Sequence, residues 1–287
     1  MSQVELLTGI KAATLRKWEE RYGFLTPGRT ETNIRYYSDA MVRMLLNISI
    51  LVRNGYRVST VGEMGEAGIN EQVMQIVSNP SDDYSDVVDA LIASMVNMDE
   101  AAFDVVFKSH VAQLGLLFTF QKIIHPFLER VGILWGTSKV LPSQEHFVAN
   151  LIRQKLIVAT ETLPTPKQKA PKILMFLPEG ELHEVALLFS SFIAKERGWK
   201  VYYLGQNVPL ENMQSALEIS NPDALLTIIT SPRADDAQAF IGLILGKRKM
   251  PFLLGGQSPF VEELKSDKRL SMMTNPEELI KFLDVFV

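Results

Sequence analysis

Leu177-Pro178-Glu179-Gly180-Glu181-Leu182-His183-Glu184-Val185-Ala186 lies between an apolar run, residues 172–177, and an amphipathic run, residues 184–195. A strand, a loop and a helix in that order form the repeating unit of an α/β domain. The loop holds a histidine at the carboxyl end of the strand, where open α/β sheets bind ligands. Imidazole is the commonest side-chain metal ligand, and Glu181 or Glu184 can fix its tautomer from behind. The plain alternative is a loop histidine hydrogen-bonded to a neighbour, and this stretch alone does not decide between the two.

Working outward, residues 163–171 form a semi-rigid linker of proline and lysine that precedes the strand. After the loop, strands and helices alternate. Strands are predicted at 172–177, 200–204, 224–229, 251–254 and 270–273, and helices at 184–195, 210–219, 235–245 and 276–286. This pattern predicts a doubly wound, Rossmann-like parallel sheet over residues 172–287. Gly255-Gly256 after the fourth strand would let a ligand approach the backbone closely.

Residues 80–163 have helical periodicity and no strand-like alternation. Helices at 84–97, 100–111, 114–135 and 143–162, joined by short connections, predict a four-helix bundle. His125-Pro126 kinks or starts a helix, and His110 and His125 read as structural. Trp135 is followed by nine residues and then Glu145-His146. An aromatic plate ending one helix and two polar side chains opening the next suit a large planar ligand, although a Trp at a helix end is more often core.

Residues 1–75 differ in charge from the rest. Up to Arg57 there are nine Lys and Arg against five acids, a net +4, which leaves −8 for the remainder of a chain of net charge −4. A basic head on an acidic body suits a polyanion partner. Two short helices, to about Leu7 and over 12–22, flank a glycine turn, and the second exposes Arg16 and Lys17; this is a helix-turn-helix outline. Residues 23–37 read as a hairpin wing with Arg, Asn and Tyr side chains for phosphates, and a longer helix follows from Ser38-Asp39 to about Arg53. Gly62, Gly65, Gly68 and the break at 79–83 argue against a long coiled coil after the head, so self-association must use a later segment.

The 287 residues contain no cysteine, which excludes disulfides, thiolate metal sites and cysteine nucleophiles. With 47% apolar and 22% charged residues there is ample material for cores. No apolar run is long enough to span a membrane and no signal pattern opens the chain, so the expectation is a cytoplasmic protein. Apart from His183 and the Glu145-His146 pair no catalytic grouping is visible, and the expectation is a regulator rather than an enzyme.

Three resemblances follow from these motifs. Thr8-Gly9-Ile10, Thr14-Leu15-Arg16-Lys17-Trp18-Glu19, Tyr22-Gly23, the turn at 27–29, Arg35-Tyr36-Tyr37 and Asn54-Gly55-Tyr56 resemble the winged DNA-binding domain of MerR-type regulators. That resemblance implies contact with a double-stranded DNA operator through Arg16, Lys17, Tyr22, Arg29, Asn33, Arg35 and Tyr36, with Tyr37 packing in the wing and Trp18 in the core. Glu181-x-His183, Ser231-Pro232-Arg233 and Gly255-Gly256 resemble the cobalamin-binding domain of methionine synthase and corrinoid proteins. Glu181 replaces the usual Asp, Ala186 the usual Gly, and Arg233 the usual Leu.

Taken together, the chain resembles the cobalamin-dependent photoreceptor repressors of the CarH and LitR type, whose Trp, nine-residue gap and Glu-His match Trp135, Glu145 and His146. The resemblance implies adenosylcobalamin as cofactor, with His183 on cobalt from below, Glu181, Ser231, Gly255 and Gly256 around it, and Trp135, Glu145 and His146 covering the adenosyl group. It further implies a dimer or tetramer that light takes apart. The alternative is a regulator whose sheet domain binds no cofactor and serves dimerisation or the docking of an antirepressor protein.

Overall fold

A computed structural model describes residues 2–22, 25–29, 35–78, 83–136, 140–230, 237–246, 248–256, 259–264 and 268–285. The chain forms two compact units, Met1–Leu151 and Ile152–Val287. The head and the bundle up to the first half of its last helix therefore share the first unit.

The first unit opens with α1 (Ser2–Thr8) and α2 (Ala12–Arg21), joined through Gly9 at φ 70°. The wing strands β1 (Gly28–Arg29) and β2 (Arg35–Tyr36) pair antiparallel. Then α3 (Asp39–Arg53) begins where the Ser38 hydroxyl accepts from the Met41 amide at 3.3 Å, an N-cap that satisfies one of the helix's orphan donors. The glycine-rich stretch after it is helical: α4 (Val58–Ser78) buries Val61, Ile69, Val73 and Val77, and it breaks at Gly65, whose φ of 68° no helix allows. A straight coiled coil is thereby ruled out over this stretch.

The bundle follows the predicted helices closely, with α5 (Ser85–Val96), α6 (Glu100–Leu114), α7 (Leu116–Thr119), α8 (His125–Gly136) and α9 (Pro142–Glu161). A π turn, Phe120–Ile124, joins α7 to α8. It falls just before Pro126, which lacks the N–H for the Lys122 carbonyl and would crowd it; the wider turn accommodates the ring. Phe103 and Phe127, both fully buried, meet edge to face at 6.0 Å in the bundle core. His110 is buried with Nδ1 on the Val106 carbonyl at 2.7 Å, a structural placement.

In the second unit β3 (Lys172–Pro178), α10 (Val185–Glu196), β4 (Lys200–Val208), α11 (Met213–Ser220), β5 (Ala224–Ile228), α12 (Ala237–Leu245), β6 (Phe252–Gly255), α13 (Pro259–Leu264), β7 (Leu270–Met273) and α14 (Pro276–Val285) alternate. Only the short α13 was not foreseen. The strands form a parallel sheet in the order β4-β3-β5-β6-β7. β3 and β5 are central and buried on both faces, which is why they read as unbroken apolar runs. On one face Leu174, Phe176, Leu225, Phe252 and Leu254 pack against Met213, Leu217, Phe240 and Ile244 of α11 and α12.

The chain leaves β3 toward β4 on one side and returns to β5 on the other. The strand order thus reverses between β3 and β5, and the crevice at their carboxyl ends is the place where such sheets take ligands.

Gly256 (φ 114°) has a specific local reason: a Cβ there would lie 2.0 Å from the Ile229 carbonyl oxygen. The backbone that approaches closely at the Gly pair is thus that of the chain leaving β5. Gly256→Ala is expected to destabilise the second unit by more than the ~1–3 kcal/mol of backbone strain alone. Guanidinium unfolding followed through buried Trp199 checks it, and an unchanged midpoint would contradict the packing described.

Candidate functional site

Glu181 sits in the middle of the β3–α10 loop with 1% exposure. Its Oε1 accepts from His183 Nδ1 at 2.6 Å and from the His183 amide at 3.1 Å. Its Oε2 accepts from the Thr230 amide at 2.7 Å, and the Thr230 hydroxyl lies 3.2 Å from the same oxygen and 3.0 Å from His183 Nδ1. The loop is pinned from β4 as well: the Gly180 amide donates to Asn207 Oδ1 at 2.9 Å, and the Asn207 amide to the Glu181 carbonyl at 3.3 Å. The His183 ring is therefore held by a buried carboxylate while 67% of its side chain faces solvent. With Nδ1 donating to Glu181, the neutral ring carries its lone pair on Nε2, the arrangement of a metal-ligating histidine braced by a carboxylate.

Glu181 and His183 come from the loop after β3, and Thr230 from the end of β5, so the triad lies at the strand-order reversal. Sequence reasoning named Ser231 and missed Thr230, its neighbour; Ser231 lies outside the described residues, as do Asn33, Arg233 and the side chain of Trp135. Gly255 closes β6 and Gly256 follows it, both in the strand-end region just described.

A second buried carboxylate follows immediately. Glu184 receives Arg153, from the second half of α9, with Nε at 2.9 Å and Nη2 at 2.6 Å, and the Tyr203 hydroxyl at 2.9 Å. Burial first, and then the Glu184 charge, push the Tyr203 hydroxyl far above its usual phenolic range, so it stays a donor. This trio anchors the start of α10 and hence the residue after His183. Nothing in the sequence pattern pairs Arg153 with Glu184.

In the bundle, Glu145 and His146 lie in the first turn of α9 and pair with each other at 3.0 Å, with the His146 side chain 73% exposed. Buried Gln144, unnoticed in the sequence, positions them. Its Oε1 accepts from the Leu141 amide at 2.9 Å and its Nε2 donates to the Val96 carbonyl at 2.7 Å, which fastens the start of α9 to the end of α5.

In the head, Arg16 and Lys17 are exposed on α2, and Arg29 is exposed on β1. Tyr22 is half-buried beneath Arg21, whose guanidinium carbon lies 5.6 Å from its ring centre. Tyr36 is 55% exposed on β2, its ring filling the space over Gly28. Arg35, expected on phosphate, is engaged inside the head: its Nε donates to Glu19 at 2.8 Å, and the Tyr37 hydroxyl donates to the same carboxylate. Burial, and then the bond to Glu19, raise the Tyr37 hydroxyl above its usual range. Glu19 of α2 thus ties the base of the wing to the helix that carries Arg16 and Lys17, and a phosphate contact by Arg35 would have to share this pair.

Comparison with known proteins agrees with the description of the head and of the bundle. Residues 1–67 match the model of the MerR HTH family regulatory proteins, and residues 87–159 match that of the B12 binding domain. The HTH-type transcriptional repressor CarH of Myxococcus xanthus is 28% identical over 236 residues, covering 80% of this chain and 78% of that protein. The repressor CarA of the same organism is 26% identical over 239 residues, covering 82% and 77%.

The chain thus carries a MerR-type helix-turn-helix head and a B12 binding domain, and it is similar to the CarH and CarA repressors over most of its length. Among solved structures, the monomethylamine corrinoid protein of Methanosarcina barkeri covers 75% of this chain and 99% of its own with a TM-score of 0.53; at 18% identity it supports the fold alone. The B12 binding match spans α5 to α9, so Trp135, Glu145 and His146 fall inside it.

Gln144→Leu leaves the Val96 carbonyl and the Leu141 amide without their partner, and is expected to cost about 1–3 kcal/mol. A drop in the thermal midpoint of the full chain checks it; an unchanged midpoint would show that the α5–α9 fastening carries no weight.

Proposed function

We propose that the chain is a DNA-binding transcriptional repressor that senses cobalamin, in its adenosyl form, and through it light. The observation that carries the cofactor reading is the His183–Glu181–Thr230 triad at the reversal of strand order, on the same chain as a winged helix-turn-helix head. One braced imidazole suits a metal whose other positions are filled by a macrocycle. Among the described residues no group of three or more His, Cys, Asp and Glu could hold a bare ion. When bound, the cofactor would supply a light-sensitive cobalt–carbon bond, and the protein would supply a histidine ligand and the surroundings that hold it.

In this reading His183 Nε2 would ligate cobalt, with Glu181 holding the ring tautomer and Thr230 bracing Glu181. Trp135, Glu145 and His146 are proposed to recognise the upper ligand, and Ser231, Gly255 and Gly256 to receive the rest of the cofactor. Occupancy biases which assembly the chain adopts, as a dimer or tetramer, and assembly sets how many heads grip the operator together. Arg16, Lys17, Tyr22, Arg29, Asn33 and Tyr36 are proposed as the DNA contacts, with Arg35 sharing its donors between Glu19 and phosphate. No helix among the described residues is long and apolar enough to cross a membrane, and the proposed location is the cytoplasm. A second reading, a cofactor-independent regulator that docks an antirepressor protein, draws on Ala186 and Arg233, where the family pattern has Gly and Leu.

Mixing the full chain with adenosylcobalamin in the dark, desalting, and recording the visible spectrum before and after green light tests the cofactor reading. The expected result is a retained spectrum that changes on illumination, is lost in His183→Ala, and is retained roughly 10–100-fold more weakly in Thr230→Val. No retained colour in the unaltered chain would favour the second reading. For the head, Arg16→Ala is expected to weaken duplex binding and reduce the salt slope by about 1. An unchanged slope would remove Arg16 from the phosphate contacts.

A further inference from the structure

Asp89 lies in the middle of the apolar stripe of α5, with a side chain only 2% exposed. An ionised carboxylate at such depth needs full compensation. It receives two guanidinium groups from different parts of the first unit: Arg53 from the last turn of α3, and Arg130 from α8. Arg53 also reaches Asp86 at 2.6 Å, and Asn54 donates to the other Asp86 oxygen at 2.6 Å. Burial opposes the charge on Arg53, but the charges and hydrogen bonds of Asp89 and Asp86 together outweigh it and raise its pKa, so the guanidinium stays charged.

Arg130 does something further. Its other nitrogen donates to the Leu7 carbonyl at 2.7 Å, one of the unsatisfied carbonyls at the end of α1. The next carbonyl, of Thr8, accepts from the Ser49 hydroxyl of α3 at 3.0 Å, and Arg53 Nη1 lies 3.4 Å from that same hydroxyl. The bundle therefore grips the first helix of the helix-turn-helix at its last turn, just before the Gly9 turn that aims α2. α3 also packs along α5 beside this network.

We infer that Asp89, Arg53 and Arg130 form a clasp that fixes the orientation of the DNA-reading helix on the bundle, and that these are positioning residues for DNA binding. The inference rests on the proposal that the head binds DNA. Asp89 is shared, so the clasp cannot release one arginine without leaving a buried carboxylate under-compensated; it holds or lets go as a whole. A shift of α5 against α8 then reorients α2, so the bundle acts on each head directly as well as through the number of heads assembled.

The test uses the absence of cysteine in the chain. Spin labels on Glu20→Cys in α2 and Glu129→Cys in α8, both exposed, report head against bundle in the full chain without cofactor, diluted with unlabelled protein. With the clasp intact a single narrow distance distribution is expected, and Asp89→Asn or Arg130→Gln should broaden it. If the correct orientation is then populated about one tenth of the time, affinity for a duplex selected with the unaltered chain falls roughly tenfold. Should Asp89→Asn fail to fold, Arg130→Gln decides, since it leaves Asp89 with Arg53. An unchanged narrow distribution in folded Arg130→Gln would overturn the inference. An unaltered chain that binds no duplex would count against the DNA reading, and the distance measurement would still decide the clasp.

Discussion

The buried Glu181 carboxylate is tolerable in its loop because the His183 ring and amide and the Thr230 amide donate to it. Those donors come from the carboxyl ends of two adjacent parallel strands, on either side of the strand-order reversal, and the same bonds therefore fix three things at once. They set the shape of the loop after β3, the spacing between the ends of β3 and β5, and the tautomer of the one imidazole at the strand-order reversal. A carboxylate left there without these donors would carry a desolvation cost of several kcal/mol. Loop conformation and ligand chemistry are thus one constraint. Glu184, three residues on, repeats the device with Arg153 and Tyr203, so the segment carrying His183 is braced on both sides.

The first unit depends on the same physics in a different service. Asp89 is as deeply buried, but its donors are the long, charged arms of Arg53 and Arg130, and what they join is head to bundle. Gln144 performs a neutral version of the task, fastening the start of α9 to the end of α5 and placing Glu145 and His146. In each case a buried polar side chain between elements remote in sequence specifies how those elements sit, where apolar packing alone would tolerate sliding.

Much of the fold was legible because apolar periodicity is a local property. The central strands show unbroken apolar runs, the bundle helices their stripes, and the loop with His183 its place between strand and helix. What escaped was non-local or locally contradictory. Asp89 looks like an interruption of a stripe, Gln144 like an ordinary first-turn residue, and Thr230 like the last β-former before Ser231. Residues 58–78 are rich in glycine yet helical, because Val61, Ile69, Val73 and Val77 bury a stripe that outweighs the intrinsic cost. Arg35 and Tyr36 are adjacent in sequence, but alternation along a strand turns one toward Glu19 and leaves the other exposed. Gly256 has a local reason that only the fold reveals, since the Ile229 backbone occupies the space a Cβ would need.

The central claim is that a nitrogen of His183 binds cobalt. The most direct measurement is the electron paramagnetic resonance spectrum of cob(II)alamin on the full chain, grown with ¹⁴N-histidine or with ¹⁵N-histidine and unlabelled cofactor. An axial histidine nitrogen splits the cobalt lines into triplets with ¹⁴N and into doublets with ¹⁵N. The account predicts that triplets become doublets on labelling. Triplets that persist in the labelled protein would place the cofactor's own nitrogen base on cobalt and contradict the role assigned to His183.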